Sequence, residues 1–131
     1  MQDERKKTLC QYRLNNAEET YTVAQDCFKG MHFKDCVNRS YYAVFYALKA
    51  VLALEGVDFK RHKDVVAYFN RHYVAADVFK RDYGRKIAKL QQIREKSDYD
   101  DFYITSSEEA EMQLENTREI IDAITIYLNL L

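Results

Sequence analysis

Arg39 and Arg94 of this 131-residue sequence lie in segments with helical periodicity, where their charges need oppositely charged or hydrogen-bonding partners. Arg39 follows Asn38 in the most apolar stretch of the chain, where an unpaired guanidinium would be costly. We therefore expect Arg39 to pair with a carboxylate such as Asp98 or Asp101, or to lie at a helix boundary. Arg94 stands near the predicted end of another helix, just before Asp98, where a cation also complements the helix dipole.

Other groups of chemically capable residues do not form a complete site. The sequence has no Gly-rich phosphate loop, no G-x-S-x-G and no H-E-x-x-H. Cys27, His32 and Cys36 lack the fourth ligand of a structural zinc site. The acidic cluster at 98–101 lacks the glycine and the distal glutamate of a calcium loop. We therefore predict no metal site and no cofactor.

The aromatic-rich run at 41–46, which includes Tyr42, allows two interpretations. Exposed rings could stack on nucleic-acid bases. Rings at helical spacing inside a mostly apolar helix more often belong to the core, with their hydroxyls at its edge. The second interpretation is favoured.

The elements that position these residues are helices, because the chain has three glycines and no proline to make turns. Apolar periodicity predicts five helices, over about 5–29, 33–55, 63–74, 78–97 and 107–130. In the last of them the inward stripe is Ala110, Leu114, Thr117, Ile121, Ile124, Leu128 and Leu131. Ser106 with Glu109 predicts a capping box, and Gly30 and Gly56 follow helix ends. Short links between these helices predict an all-α, up-and-down bundle.

Length and composition indicate one domain spanning residues 1–131. Charged residues make up 31% and hydrophobic residues 47% of the chain, which argues against disorder. No apolar run approaches the ~18 residues of a membrane span, and the N-terminus lacks the apolar centre of a signal peptide. An odd number of cysteines, three, agrees with a reducing compartment. We expect a cytoplasmic protein that does not enter a membrane.

Charge is distributed unevenly along the chain. Residues 60–96 hold eleven Lys/Arg against four Asp/Glu, whereas residues 97–131 hold one against nine. The basic segment could face RNA or an acidic partner. Alternatively the basic fourth helix and the acidic fifth helix lie side by side and compensate each other, which is the interpretation we favour.

Several strings in one order resemble the HEPN superfamily, and in particular its small stand-alone prokaryotic members. The likeness covers about residues 8–130. Its strings are NRSYYAVFYA at 38–47, Gly56, HKDV at 62–65, Phe69 and REKSDY at 94–99.

This resemblance implies an up-and-down bundle with a four-helix core that is commonly dimeric. Members are often encoded beside a minimal nucleotidyltransferase, as in toxin–antitoxin pairs. Active members are metal-independent endoribonucleases whose motif is an Arg, four to six residues, then a His, joined by its copy in a second subunit. There the Arg stabilises phosphate charge and the His moves a proton as the RNA 2′-hydroxyl attacks.

The chain matches this motif at its arginine and departs from it at the histidine. Arg94 has the position of the motif's Arg, but Tyr99 follows after four residues and none of 98–100 is His. His62 could act in its place if the fold brings it close. Tyrosine with an ordinary pKa near 10 carries protons poorly at pH 7.

Three functions follow from these features. The first is a homodimeric regulatory partner of a nucleotidyltransferase that binds nucleotide or RNA. The second is an endoribonuclease toxin that uses Arg94 with a non-histidine partner, either Asp98 or Tyr99. The third is a structural oligomerising bundle. The predicted catalytic residues are Arg94, Asp98 and Tyr99, and the predicted ligand-binding residues are Asn38, Arg39, Tyr42, His62 and Lys63.

Overall fold

Periodic apolar residues and the shortage of turn-forming residues place most of the backbone in helices. The computed structural model describes the backbone of residues 2–131 and the side chains of residues 4–131. This part of the chain contains no strand, which confirms the all-α prediction. The helices are α1 (Gln2–Lys29), α2 (Phe33–Glu55), α3 (His62–Phe69), α4 (Asp82–Tyr99) and α5 (Ser107–Asn129). They pack as the predicted up-and-down bundle.

Helix α2 is the centre of this bundle. It contacts each of the other four α-helices, and buried residues occur on several of its sides. Such a helix has apolar residues all round because neighbours surround it. The fully buried Tyr41, Leu48 and Leu52 contribute its largest side chains to the core. The position of α2 means that residues near its first turns can meet residues of both α3 and α4.

The glycine after α2 ends the helix as predicted. Gly56 has φ +79°, and its N–H donates to the Ala53 carbonyl at 3.0 Å. A left-handed residue is typical of this position. At the end of α1 the left-handed residue is Met31, with φ +64°, rather than Gly30.

The region between α2 and α4 differs from its sequence-based prediction. The segment predicted as one helix over 63–74 is α-helical only to Phe69 and continues as a π-helical turn, Asn70–Val74. Its wider hydrogen bond runs from the Ala75 N–H to the Asn70 carbonyl at 2.7 Å. Helix α4 begins at Asp82, not at 78, because the backbone N–H of Phe79 donates to the carbonyl of Tyr73 and holds Phe79 in the loop.

Helix α5 confirms the predicted capping box. The Ser106 hydroxyl accepts from the Glu109 N–H at 3.1 Å, and the Glu109 carboxylate accepts from the Ser106 N–H at 3.3 Å. Most of the predicted inward stripe is buried or half-buried. Leu131 is the exception: it lies beyond the helix end and is exposed, so its assignment to the core was wrong.

Replacing Ser106 by alanine is expected to lower the free energy of unfolding by about 1 kcal/mol, because the backbone N–H of Glu109 loses its acceptor, the Ser106 hydroxyl. Ser107→Ala is the matched control, since Ser107 is the first helical residue and caps nothing. Urea unfolding of both variants measures the difference. Equal losses would show that the cap does not stabilise α5.

The prediction that α4 and α5 neutralise each other receives limited support. Among the described residues, one ion pair joins the two helices, between Lys86 and Glu119. Most of the excess charge of each segment therefore faces elsewhere. None of the helices between residues 2 and 131 combines the length and apolarity needed to span a bilayer.

Candidate functional site

A polar network lies where the first turns of α2 meet the last turns of α4. The Asn38 side-chain N–H donates to Asp98 Oδ2 at 3.0 Å, which joins α2 to α4. Arg94 lies one turn before Asp98, and its Nη1 is 3.6 Å from the same oxygen. The two helices also pack against each other through a small apolar cluster, to which α5 contributes Ala110. The other members of this cluster are Cys36, Val37 and Ile93.

The guanidinium of Arg94 lies over aromatic rings of α2. Its Cζ is 4.6 Å from the ring centroid of Tyr41 and 5.7 Å from that of Tyr42, which are cation–π distances. The side chain is only 11% exposed. Its Nε is buried and has no hydrogen-bond partner among the described residues. An unpartnered buried donor destabilises a fold, so stability alone does not account for this arrangement.

Arg39 joins the network through an amide, not through a carboxylate. Its Nε and Nη2 donate to Asn38 Oδ1 at 2.9 and 2.6 Å, and its Cζ is 5.0 Å from the Tyr42 centroid. The predicted direct pairing with Asp98 or Asp101 was therefore wrong, because Asn38 stands between Arg39 and Asp98. The network consequently holds two guanidinium groups and one carboxylate, an excess of positive charge.

The fold brings His62, the first residue of α3, to the same aromatic face. Its ring stacks on Phe45 with centroids 4.0 Å apart, and its Nδ1 is 3.5 Å from the Tyr41 hydroxyl, at the outer limit of a hydrogen bond. Burial lowers the pKa of His62 below its ordinary value, and the charges of Arg94 and Lys49 lower it further. The imidazole is therefore neutral at pH 7 and able to accept a proton.

The depressed pKa of His62 predicts a pH-dependent contribution to stability. The unfolded chain binds a proton at this residue near the ordinary value of 6.5, before the folded chain does. The contribution is therefore fully present above that pH and is lost as the pH falls below it. Compared with His62→Gln, the wild type should lose extra stability between about pH 7 and pH 5. Urea unfolding across this range measures it, and parallel curves would contradict it.

Tyr99 and Lys63 lie at the rim of this network. Tyr99 is 76% exposed, and its hydroxyl makes no hydrogen bond with the described residues. It lines an open hollow of about 610 Å³ together with Arg94, Glu95, Lys96 and Asp100. Lys63 is exposed in the first turn of α3. The site residues that the structure brings together are Asn38, Arg39, Tyr42, His62, Arg94 and Asp98.

Sequence reasoning missed the supporting role of Tyr41 and Phe45. Both rings are buried, as the core interpretation of the aromatic run predicts, yet they also carry Arg94 and His62. The signal was present in their spacing, because residues 38, 41, 42 and 45 share one face of a helix.

The network can bind an oxyanion and can accept a proton. Guanidinium groups match the geometry of phosphate oxygens, and a positioned neutral imidazole is a general base. Within residues 4–131, no group of three or more His, Cys, Asp or Glu side chains is placed to hold a metal ion.

Comparison with known proteins places this chain in a family. The sequence matches the HEPN domain over residues 10–127. A Methanocaldococcus jannaschii protein named "Putative toxin" is 33% identical over 82% of this chain and 80% of its own length. A second protein of that organism with the same description is 24% identical over 88% of this chain and 78% of its own. A Thermotoga maritima UPF0332 protein is 28% identical over 91% of this chain and 90% of its own length. With a fold of five helices and a match across most of its length, the chain belongs to the HEPN domain family.

Proposed function

We propose that this chain is a toxin-type HEPN protein that binds RNA through a phosphate group at the Arg94 network. The observation that carries the proposal is the placement of Arg94. Its guanidinium lies over the Tyr41 ring, at the edge of an open hollow, and its Nε is buried without a partner among the described residues. Polar groups that cost stability tend to mark functional sites.

Charge and relatives also support RNA as the ligand. In the network Arg39 and Arg94 exceed the single carboxylate of Asp98, whereas along the hollow Arg94 and Lys96 are balanced by Glu95 and Asp100. An incoming phosphate would therefore meet net positive charge at the two guanidinium groups, not across the whole hollow. The segment at 60–96 adds a formal balance of +7 and contains both Arg94 and His62. Two relatives carry a toxin in their names, which agrees with an RNA-directed HEPN protein.

Binding of single-stranded RNA, measured by fluorescence anisotropy over a salt series, tests the proposal. We expect affinity to fall steeply as salt rises, because each phosphate contact releases counterions. Expression of the chain alone in bacteria is expected to arrest growth. Salt-insensitive binding would indicate a nucleotide pocket instead, and the absence of RNA binding would refute the proposal.

A second candidate activity, cleavage of the bound RNA without a metal, is favoured by the position of His62. The neutral imidazole would accept the proton of a ribose 2′-hydroxyl as its oxygen attacks the adjacent phosphorus, while Arg94 stabilises the charge that develops on the phosphate. The bond from phosphorus to the 5′-oxygen would break, and the departing oxygen would take a proton from the imidazolium or from water. His62 suits this role better than Asp98, whose Oδ2 already accepts from Asn38 and faces Arg94. Cleavage in excess chelator by the wild type, and its loss in His62→Gln with RNA binding retained, would support this activity. Equal cleavage by both proteins would contradict it.

We also propose that the chain pairs with a nucleotidyltransferase and forms a homodimer. Support for both comes from the family resemblance, since toxin-type members act with partners. Co-purification from the native cell tests the pairing. Light scattering at micromolar concentration tests the dimer, and a monomer would contradict any site composed of two subunits.

A further inference from the structure

The connection between α4 and α5 displays large apolar side chains to solvent. Phe102 is 95% and Ile104 is 86% exposed, and both lie within five residues of Tyr99, which is itself exposed. We call the surface formed by Tyr99, Phe102 and Ile104, with the acidic residues between and beside them, the α4–α5 surface. Exposed apolar side chains grouped in this way mark interaction sites.

Hydrogen bonds of the connection restrain the backbone that carries the α4–α5 surface. The Phe102 N–H donates to Asp100 Oδ1 at 3.0 Å, and the Ser97 and Thr105 hydroxyls are 2.6 Å apart. The Tyr103 hydroxyl donates to the Glu109 carboxylate, which also belongs to the α5 capping box. A backbone restrained before binding loses less conformational freedom when a partner docks.

The charged residues of the connection after Tyr99 are all acidic, and the exposed Lys96 lies at the edge of the surface, where its Nζ is 6.0 Å from the Tyr103 ring centroid. Asp100, Asp101 and Glu108 are exposed, and Glu111 continues this face along α5 next to the exposed Met112. No Lys or Arg occurs between positions 97 and 117. None of the four named carboxylates forms an ion pair with another residue whose side chain the structure describes. Four carboxylates against the one lysine at its edge leave the surface with a net negative charge beside its apolar anchors.

We propose that the α4–α5 surface docks a cationic, amphipathic segment of a partner protein, with Lys or Arg side chains flanking apolar ones. Charge complementarity selects the sign of the partner, and Phe102 and Ile104 supply the apolar anchors that concentrate binding energy. Tyr99 and Asp100 also line the hollow beside Arg94. A docked segment would therefore cover this hollow and keep RNA out, a regulatory consequence that rests on the proposed function.

Two other occupants fit this surface less well. RNA would be repelled by the four carboxylates. In a two-fold symmetric contact a second copy of this chain would bring the same surface to itself, acid against acid. A segment of opposite charge avoids both penalties.

A tryptophan-containing peptide tests the docking site directly, because the chain itself has no tryptophan to interfere. The probe is a synthetic Lys/Leu peptide of roughly four helical turns with one Trp on its apolar face. Two matched peptides replace Lys by Glu or Leu by Ser. We expect only the Lys/Leu peptide to bind, with a blue shift of its Trp emission as the ring is buried.

Paired variants locate the binding. Phe102→Ser/Ile104→Ser and Asp101→Lys/Glu111→Lys should each weaken peptide binding about tenfold or more. Two controls with matched chemistry on other faces, Ile126→Ser/Leu130→Ser and Glu4→Lys/Glu19→Lys, should leave it unchanged. All the substituted side chains are exposed, so the variants are expected to fold, as circular dichroism will verify.

Each outcome has a defined meaning. No peptide binding, or equal loss in test and control variants, would overturn the docking site. An assembly that the Phe102→Ser/Ile104→Ser variant converts to a monomer would overturn it in favour of a second copy. Displacement of labelled RNA by the peptide supports the regulatory consequence, and simultaneous binding of both overturns that part. Peptide binding without any RNA binding would refute the proposed function and leave the docking site standing.

Discussion

Replacing Arg94 by methionine is expected to abolish growth arrest and to weaken RNA binding roughly ten- to hundredfold, the cost of about 1.5–3 kcal/mol for a lost charged hydrogen bond. Stability should change little, because the methionine side chain keeps the contact with Tyr41 and the unpartnered buried Nε is removed. Asp98 retains its bond from Asn38. If the chain cleaves RNA, the rate should fall about 10²–10³-fold. Anisotropy, cleavage assays and urea unfolding provide the three readouts.

Lys89→Met is the matched control for this experiment. Lys89 is exposed on the same helix, and the substitution removes the same charge without touching the network. Only the Arg94 variant should lower the slope of log affinity against log salt by about one, the signature of a lost phosphate contact. Equal losses of RNA affinity in the two variants would show that Arg94 acts only through the overall electrostatic field of the protein.

Replacing Phe69 by alanine is expected to lower the free energy of unfolding by about 3–5 kcal/mol. Phe69 is fully buried, and its ring stacks on Tyr73 and Phe79 with centroid distances of 5.3 and 5.4 Å. The cavity would remove packing between the end of α3, the π-helical turn and the loop before α4. Since domains of this kind are stable by about 5–15 kcal/mol, this is a large share of the total.

The control for Phe69 is Val78→Ala, which truncates an exposed side chain of the same region and should cost less than about 0.5 kcal/mol. His62 begins the helix that Phe69 ends, so its NMR titration reports whether the defect reaches the site. A Phe69→Ala protein as stable as the control would show that this ring cluster does not hold α3 in place.

The sequence predicted the fold well where a helix is determined by its own residues. The bounds predicted for α2 match the structure, and α5 differs from its predicted bounds only by ending one residue earlier. Both predictions were close because they rested on local signals: apolar periodicity, the α5 capping box and Gly56. The predictions for α3 and α4 were less accurate. The π-helical turn and the loop that holds Phe79 depend on a hydrogen bond from the Phe79 N–H to the Tyr73 carbonyl, which no local pattern reveals.

The sequence predicted which residues form the site better than it predicted the contacts between them. Arg94, Asp98 and Asn38 were selected from sequence strings and do meet. The partner of Arg39 was predicted wrongly because an unpaired guanidinium suggests a carboxylate, whereas the adjacent Asn38 amide reaches it first. The approach of His62 to Arg94 depends on how α3 packs against α2, and a separation of 32 positions in the chain carries no signal of it.

The single Asp98 oxygen shared by Asn38 and Arg94 has a consequence for the motion of α4. It fastens the last turn of α4, which fraying would otherwise loosen, to the start of α2 by side chains alone. An anion that binds Arg94 would compete with Asp98 for its guanidinium. Ligand binding and fraying of the last turn of α4 are therefore thermodynamically linked. Amide hydrogen exchange at residues 96–99 should therefore change when RNA binds. An unchanged rate would show that Asp98 keeps its contacts with Asn38 and Arg94 during binding.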